Sequence, residues 1–220
     1  MSEQKIKHHL TDQLLMGYAA GTLPEAFNLV VATHISLCDE CRARLYEFEA
    51  VGGAVLDGLD GADAAEMSEG SLDATLKLIS RRAKDPIKTM RASRGVFPKP
   101  LQDYVGGDAD AVKWRRVGGG VKQAVLPTTK DASVRLLYIP AGMEVPDHGH
   151  HGTELTLVLQ GAFIDDDGRF ARGDVEVANE ELEHTPVADI GEDCICLSAT
   201  DAPLRFNRLI PRVAQRLMRI

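Results

Sequence analysis

Apolar residues change their spacing once along this chain. Over the first 85 residues they recur at helical intervals. The run "DQLLMGYAA" follows Thr11, whose side chain suits an N-cap, and Gly21 closes it. Pro24 stands where the first turn of a helix tolerates proline, and "EAFNLVVATHI" carries apolar residues over a broad face. "DECRARLYEFEAVGGAVL" predicts a third helix, with Asp39 and Glu40 in the first turn where the dipole favours acids. The acidic, Gly-rich "DGLDGADAAEMSEGS" predicts a flexible connection. Ser71 then caps a short amphipathic helix over 72–84, with Leu72, Leu76 and Ile79 on one side, ending before Pro86.

From Phe97 onward the period is that of strands. "ASVRLLYIP", "ELTLVLQG", "GAFIDDDGRFARGDVEV" and "CICLSA" are short β-type runs separated by Gly, Asp and Pro. Regular short strands with turn chemistry between them predict an all-β sandwich or barrel. The expected organisation is therefore two domains. An all-α region covers 1–85, a linker 86–97, and an all-β region 98–220.

Composition narrows the function. With 44% hydrophobic residues in 220, the chain is globular rather than disordered. A net charge of −8 argues against nucleic acid as a direct partner. The charge is uneven: residues 1–85 hold 8 Lys and Arg against 14 Asp and Glu, the remainder 17 against 19. An acidic N-terminal half fits a basic partner surface, and equally fits simple solubility. Residues 1–20 lack the apolar core of a signal peptide, and no run approaches the ~18 apolar residues of a membrane span. Four cysteines in two close pairs, C-x2-C and C-x-C, make a poor disulfide framework. A cytoplasmic protein is expected.

The stretch "VVATHISLCDEC" supplies candidate chemistry. Its H-x3-C-x2-C spacing gathers His34, Cys38 and Cys41 around the turn between the second and third helices, three of the four N and S ligands of a structural zinc site. The fourth must come from His8 or His9; His9, nearer the first helix, is preferred, though spacing does not settle it. The plain alternative is two buried cysteines and a helix-capping histidine. A redox C-x2-C would open a helix in a βαβ context, which is absent.

The His-His pair at 8–9, the run from "DQLLMGYAA" to "CRARL" and the acidic linker together resemble the zinc-binding anti-sigma factors of the ChrR type. The resemblance implies a three-helix zinc bundle plus a fourth helix, here about 72–84, that clamp an extracytoplasmic-function sigma factor. Such a clamp blocks the sigma surfaces that bind core RNA polymerase. It also implies release of sigma on an oxidative, singlet-oxygen-type signal.

A second candidate site lies in "GMEVPDHGHHGTELTLVLQG". His148 and His150 share a strand face, Glu154 returns to it four residues on, and His184 follows at a distance. Three imidazoles and a carboxylate suit a divalent transition ion: zinc foremost, with iron, manganese or nickel also accommodated. This resembles the cupin pattern. Gly142, His148, His150, Glu154 and Gly161 meet every defined position of the first cupin motif. The second is met in part, with Gly173 and His184 in place but Asn179, Glu181 and Ala188 departing from it. His151 points the other way on a regular strand. Cys194 and Cys196 share a strand face and read as small buried hydrophobes.

The leading expectation is a non-enzymatic regulator: a helical clamp on a sigma factor, with no catalytic residues, no direct nucleic acid and no membrane. Its cupin domain would have room for a small ligand or oxidant. The alternative is a cupin metalloenzyme, a dioxygenase or isomerase, with a zinc-stapled docking domain; a metal-storage or metal-sensing protein comes third. The acidic zinc-bearing half distinguishes them, since a cupin enzyme has no need of it.

Overall fold

The computed structural model describes residues 5–58, 68–82, 95–145, 148–149, 152–179, 183–202 and 205–206. Helix α1 (Asp12–Ala19) begins at Thr11, whose hydroxyl accepts the Leu14 N–H at 3.3 Å. Helix α2 (Glu25–Ile35) follows Pro24 and matches the expected run from end to end. It buries residues around most of its circumference, from Ala26 and Phe27 to Thr33 and His34. A helix of that kind needs cover on more than one side. Helix α3 (Asp39–Asp57) is capped by Cys38, whose sulfur accepts the Cys41 N–H at 3.4 Å. Only its first half is anchored, through Cys41 and Leu45; from Glu49 onward every side chain is exposed.

Helix α4 (Ser71–Arg82) takes Ser71 as its first residue rather than as a cap. Its side chains from Leu72 to Arg81 are all exposed. The expected continuation to 84, Pro86, most of the linker and most of the acidic connection lie outside the described residues. A fifth helix, α5 (Lys99–Val105), stands where the sequence pattern suggested the start of strands. Seven residues give no measurable period. Its signals were Pro98 and Pro100 at the start and Gly106, with φ +85°, at the end.

The β region is built on one antiparallel sheet of six strands, ordered β1-β2-β3-β11-β5-β8. These are β1 (Arg115–Gly118), β2 (Val121–Leu126), β3 (Ser133–Ile139), β5 (Glu154–Gln160), β8 (Val175–Ala178) and β11 (Cys194–Thr200). A second sheet joins β6 (Ala162–Asp165), β7 (Gly168–Ala171) and β10 (Val187–Ala188). A third joins β4 (His148–Gly149), β9 (Glu183–His184) and β12 (Arg205–Phe206).

Alternation along each strand of the main sheet separates two apolar clusters. One face carries Leu136, Leu157 and Leu197, which merge with Leu15, Val30 and Leu45 of the helices and with Phe97 and Leu101 of the α5 segment. Helix α2 lies on this face against β11, β5 and β3, with α1 and α3 on its other side. The opposite face carries Ile139, Val158 and Cys196, covered by Phe163 of β6 and Phe170 of β7. The two regions, distinct in sequence, thus share a core. No described helix is long and apolar enough to cross a membrane.

Candidate metal centre

His9, His34, Cys38 and Cys41 converge, with one donor atom from each lying within 4.8 Å of the others. His9 Nδ1 is 3.3 Å from Cys38 Sγ and 3.6 Å from Cys41 Sγ. A tetrahedron built on usual zinc–sulfur and zinc–nitrogen bonds has edges of about 3.3–3.8 Å. The donors are held from three directions. Residues 8–10 bring in His9, the C-terminal turn of α2 brings His34, and the start of α3 brings both cysteines.

The second nitrogen of each imidazole is occupied. His34 Nδ1 lies 2.9 Å from the Gly173 carbonyl, which can only accept, so Nδ1 carries the proton and donates it. That leaves Nε2 as a lone pair, buried and without a hydrogen-bond partner. His9 Nε2 lies 3.5 Å from a Glu40 carboxylate oxygen. A carbonyl on one ligand histidine and a carboxylate on the other are the partners that fix tautomer and ring orientation at metal sites. Glu40, between the two cysteines, is not needed as a ligand but has this second role.

Electrostatics fit the same donor set. Burial lowers the His34 pKa to about 4, against the opposing pull of the Gly173 carbonyl, so the ring is neutral at physiological pH. Burial likewise pushes the Cys41 thiol up to about 11, with Cys38 adding to it and the Leu10 backbone and Arg44 opposing. Two thiolates side by side in such a place require a cation between them.

His8 takes a different path. Its ring lies on Phe170 with centroids 4.1 Å apart, and its Nδ1 is 3.6 Å from Asp174. Of the two candidates, His9 is the one in the cluster.

One turn of the β region, between β7 and β8, serves the cluster twice. Gly173 supplies the carbonyl for His34, and Asp174 holds the segment leading to His9. The Asp174 Oδ1 accepts the Lys7 N–H at 2.6 Å and the His8 N–H at 3.0 Å; its Oδ2 accepts the Ala171 N–H at 2.8 Å. Gly173 has φ +90°, and a Cβ there would sit 2.7 Å from Ile6 Cδ1. The positive φ is what calls for glycine, and with any other residue the Ile6 side chain would also have to move. Sequence reading had placed Gly173 in the cupin motif and did not single out Asp174; only the fold brings this turn to the helical region.

At the second candidate site, Glu154 is buried at the start of β5, its Oε1 accepting the Thr156 hydroxyl at 3.1 Å. The backbones of β4 and β9 pair with His148 opposite His184. The side chains of those two histidines, and His150 and His151, lie outside the described residues. Gly161 of the first motif has φ +66°, and a Cβ there would meet the Asp193 carbonyl oxygen at 2.7 Å. Cys194 and Cys196 are buried on one face with sulfurs 3.4 Å apart and no bond between them. The contact with Cys194 and burial hold the Cys196 thiol well above its ordinary pKa. Near Glu154, Arg135 is buried and its pKa lowered by desolvation, with the Glu154 charge opposing.

The ChrR cupin-like domain family matches residues 102–202. Over 215 residues, 98% of this chain and 99% of the relative, the chain is 57% identical to the anti-sigma-E factor ChrR of Cereibacter sphaeroides. It is also similar to the solved structure of Rhodobacter sphaeroides SigE in complex with the anti-sigma ChrR. There the identity is 55%, covering 90% of this chain and 100% of that one, with a TM-score of 0.77. With a likeness that runs through both the His/Cys cluster and the cupin-like sheets, this chain belongs to the ChrR family of anti-sigma factors.

Proposed function

We propose that this chain sequesters an extracytoplasmic-function sigma factor in the cytoplasm and releases it on an oxidative, singlet-oxygen-type signal read by its cupin-like half. The observation that carries the reading is a set of apolar side chains on two helices that no described residue covers. On α4, Leu72, Leu76, Leu78 and Ile79 are 50–65% exposed; on the free half of α3, Val51, Val55 and Leu56 are 61–70% exposed. Rows of exposed apolar side chains on a helix, as at Leu72, Leu76 and Ile79, mark an interaction site. The net acidity of residues 1–85 as a whole complements the basic surface expected of a sigma factor.

In this reading residues 1–85 are the clamp and 98–220 the sensor. Zinc is held by His9 Nδ1, His34 Nε2, Cys38 and Cys41, a closed set of four that leaves no position for chemistry. It pins the α2–α3 turn to the segment before α1 and so fixes the root from which α3 projects. A second divalent ion, zinc foremost, is held by His148, His150, Glu154 and His184, with a position left for a small ligand or oxidant.

The test is transcription by purified core polymerase and the cognate sigma factor with the full chain present. Leu76→Asp and Ile79→Asp touch no core, so metal content and melting temperature should be unchanged. Inhibition should weaken at least tenfold, since burying one such side chain is worth ~1.5–3 kcal/mol. Undiminished inhibition by both variants rules α4 out as part of the clamp.

A further inference from the structure

The main sheet has two faces of different character. The helix-facing side is mainly aliphatic, with Tyr138 and Lys122 at one end, whereas the other side is divided. One end of it is the apolar cluster of Leu137, Ile139, Val158, Cys194 and Cys196 beneath Phe163 and Phe170. The other end carries polar residues in register. Arg135 on β3 stands opposite Ser198 on β11, Ser198 opposite Thr156 on β5, and Thr156 opposite Glu176 on β8. The next rung holds Ser133, Thr200 and Glu154. Four strands have to align for this row to exist, and the sequence offers no sign of it.

Arg135 is the residue whose hydrogen-bonding capacity the described fold does not meet. It is 5% exposed and near the Glu154 charge, yet among the described residues its Nη2 makes only a long 3.4 Å bond to Ser133 Oγ, and its Nη1 has no hydrogen-bond partner. Removing a guanidinium from water costs several kcal/mol unless its donors are met. Val125, across from Arg135 on β2, is 48% exposed, so solvent reaches this face of the sheet at that edge.

We infer that Arg135 is the anion-binding group of a ligand site on the inner face of the cupin-like sheet, taking a small aliphatic monocarboxylate. The guanidinium fork matches a planar carboxylate in two parallel bonds. The Ser198 hydroxyl stands in the same row as a further donor, whereas the Thr156 hydroxyl is already given to Glu154 and the apolar end of the face is closed beneath Phe163 and Phe170, so the body of the carboxylate is short. A phosphate-type dianion is disfavoured by the two buried carboxylates, Glu154 and Glu176, on the same face. This deepens the sensor reading, on which its regulatory meaning rests, by naming what the cupin-like half would recognise.

Calorimetric titration of the full, metal-loaded chain with sodium acetate, butanoate, hexanoate and octanoate tests it, at constant ionic strength and against the alcohols of equal length. Saturable binding of a carboxylate at least tenfold tighter than its alcohol is expected, falling at least tenfold in Arg135→Met and less in Arg135→Lys. If Arg135→Met does not fold, the wild-type comparison with alcohols and the Arg135→Lys titration still decide. Failure of every carboxylate to outbind its alcohol overturns the site, as does undiminished binding in a folded Arg135→Met. Neither result bears on sigma sequestration, which the transcription assay reads separately. Conversely, a chain that binds the carboxylate but does not inhibit transcription overturns the sigma reading alone.

Discussion

At the scale of single residues, the metal cluster works by giving each imidazole two distinct tasks. One nitrogen faces the thiols, and the other is tied down by Gly173 or Glu40. Removing a thiol leaves three donors, so Cys38→Ser or Cys41→Ser should lose zinc, as read by elemental analysis. The loss of several kcal/mol of metal-linked stability corresponds to about 10 °C in melting temperature for a chain of this size. His34 sets an acid limit in the metal-free chain. Its folded pKa of about 4 lies below the ordinary 6.5, so the unfolded state binds the proton first. Its full contribution is therefore present above pH 6.5 and is lost as pH falls toward 4, amounting to ~3 kcal/mol. Denaturant melts of the metal-free chain from pH 7 to 4 measure this, and His34→Gln should flatten the slope.

At the scale of elements, the decisive piece is the turn between β7 and β8. Asp174 accepts three backbone N–H groups, and each bond to a charged acceptor is worth ~1.5–3 kcal/mol. Asp174→Asn retains the shape but turns one oxygen into a donor facing N–H groups. It should cost ~2 kcal/mol and, by loosening the segment that carries His9, speed the loss of zinc to a chelator severalfold. Unchanged zinc release in this variant would mean that His9 is positioned by α1 alone. The helices α1 to α3 were legible from caps, prolines and period because those signals are local. Helix α5 and the β1–β2 pair were not, the first being too short for periodicity and the second lying outside the runs of alternating residues.

At the scale of the whole molecule, a boundary that is sharp in sequence coincides with a shared core. Helix α2 is covered by the other helices on one side and by the sheet on the other. The chain should accordingly unfold in one cooperative transition. Trp114, the only tryptophan, sits against Tyr138 in the β region with ring centroids 6.0 Å apart, and zinc reports on the helices. Tryptophan fluorescence and zinc release should change together on heating. Separate midpoints would show that the helical and β regions melt independently.

The sequence by itself determined the chemistry that is local in the chain. The H-x3-C-x2-C spacing puts three donors around one turn, and alternation along β11 puts Cys194 and Cys196 on one face of their strand. Left-handed glycines mark the cupin turns. Tertiary structure alone decided what depends on packing between distant elements. It selected His9 over His8, because His8 is taken up by Phe170 and Asp174. It gave His34 a carbonyl from 139 residues away and aligned Arg135 with Ser198, Thr156 and Glu176 across four strands. Spacing constrains only neighbours in the chain, whereas strand register and the burial of α2 are set by the core as a whole.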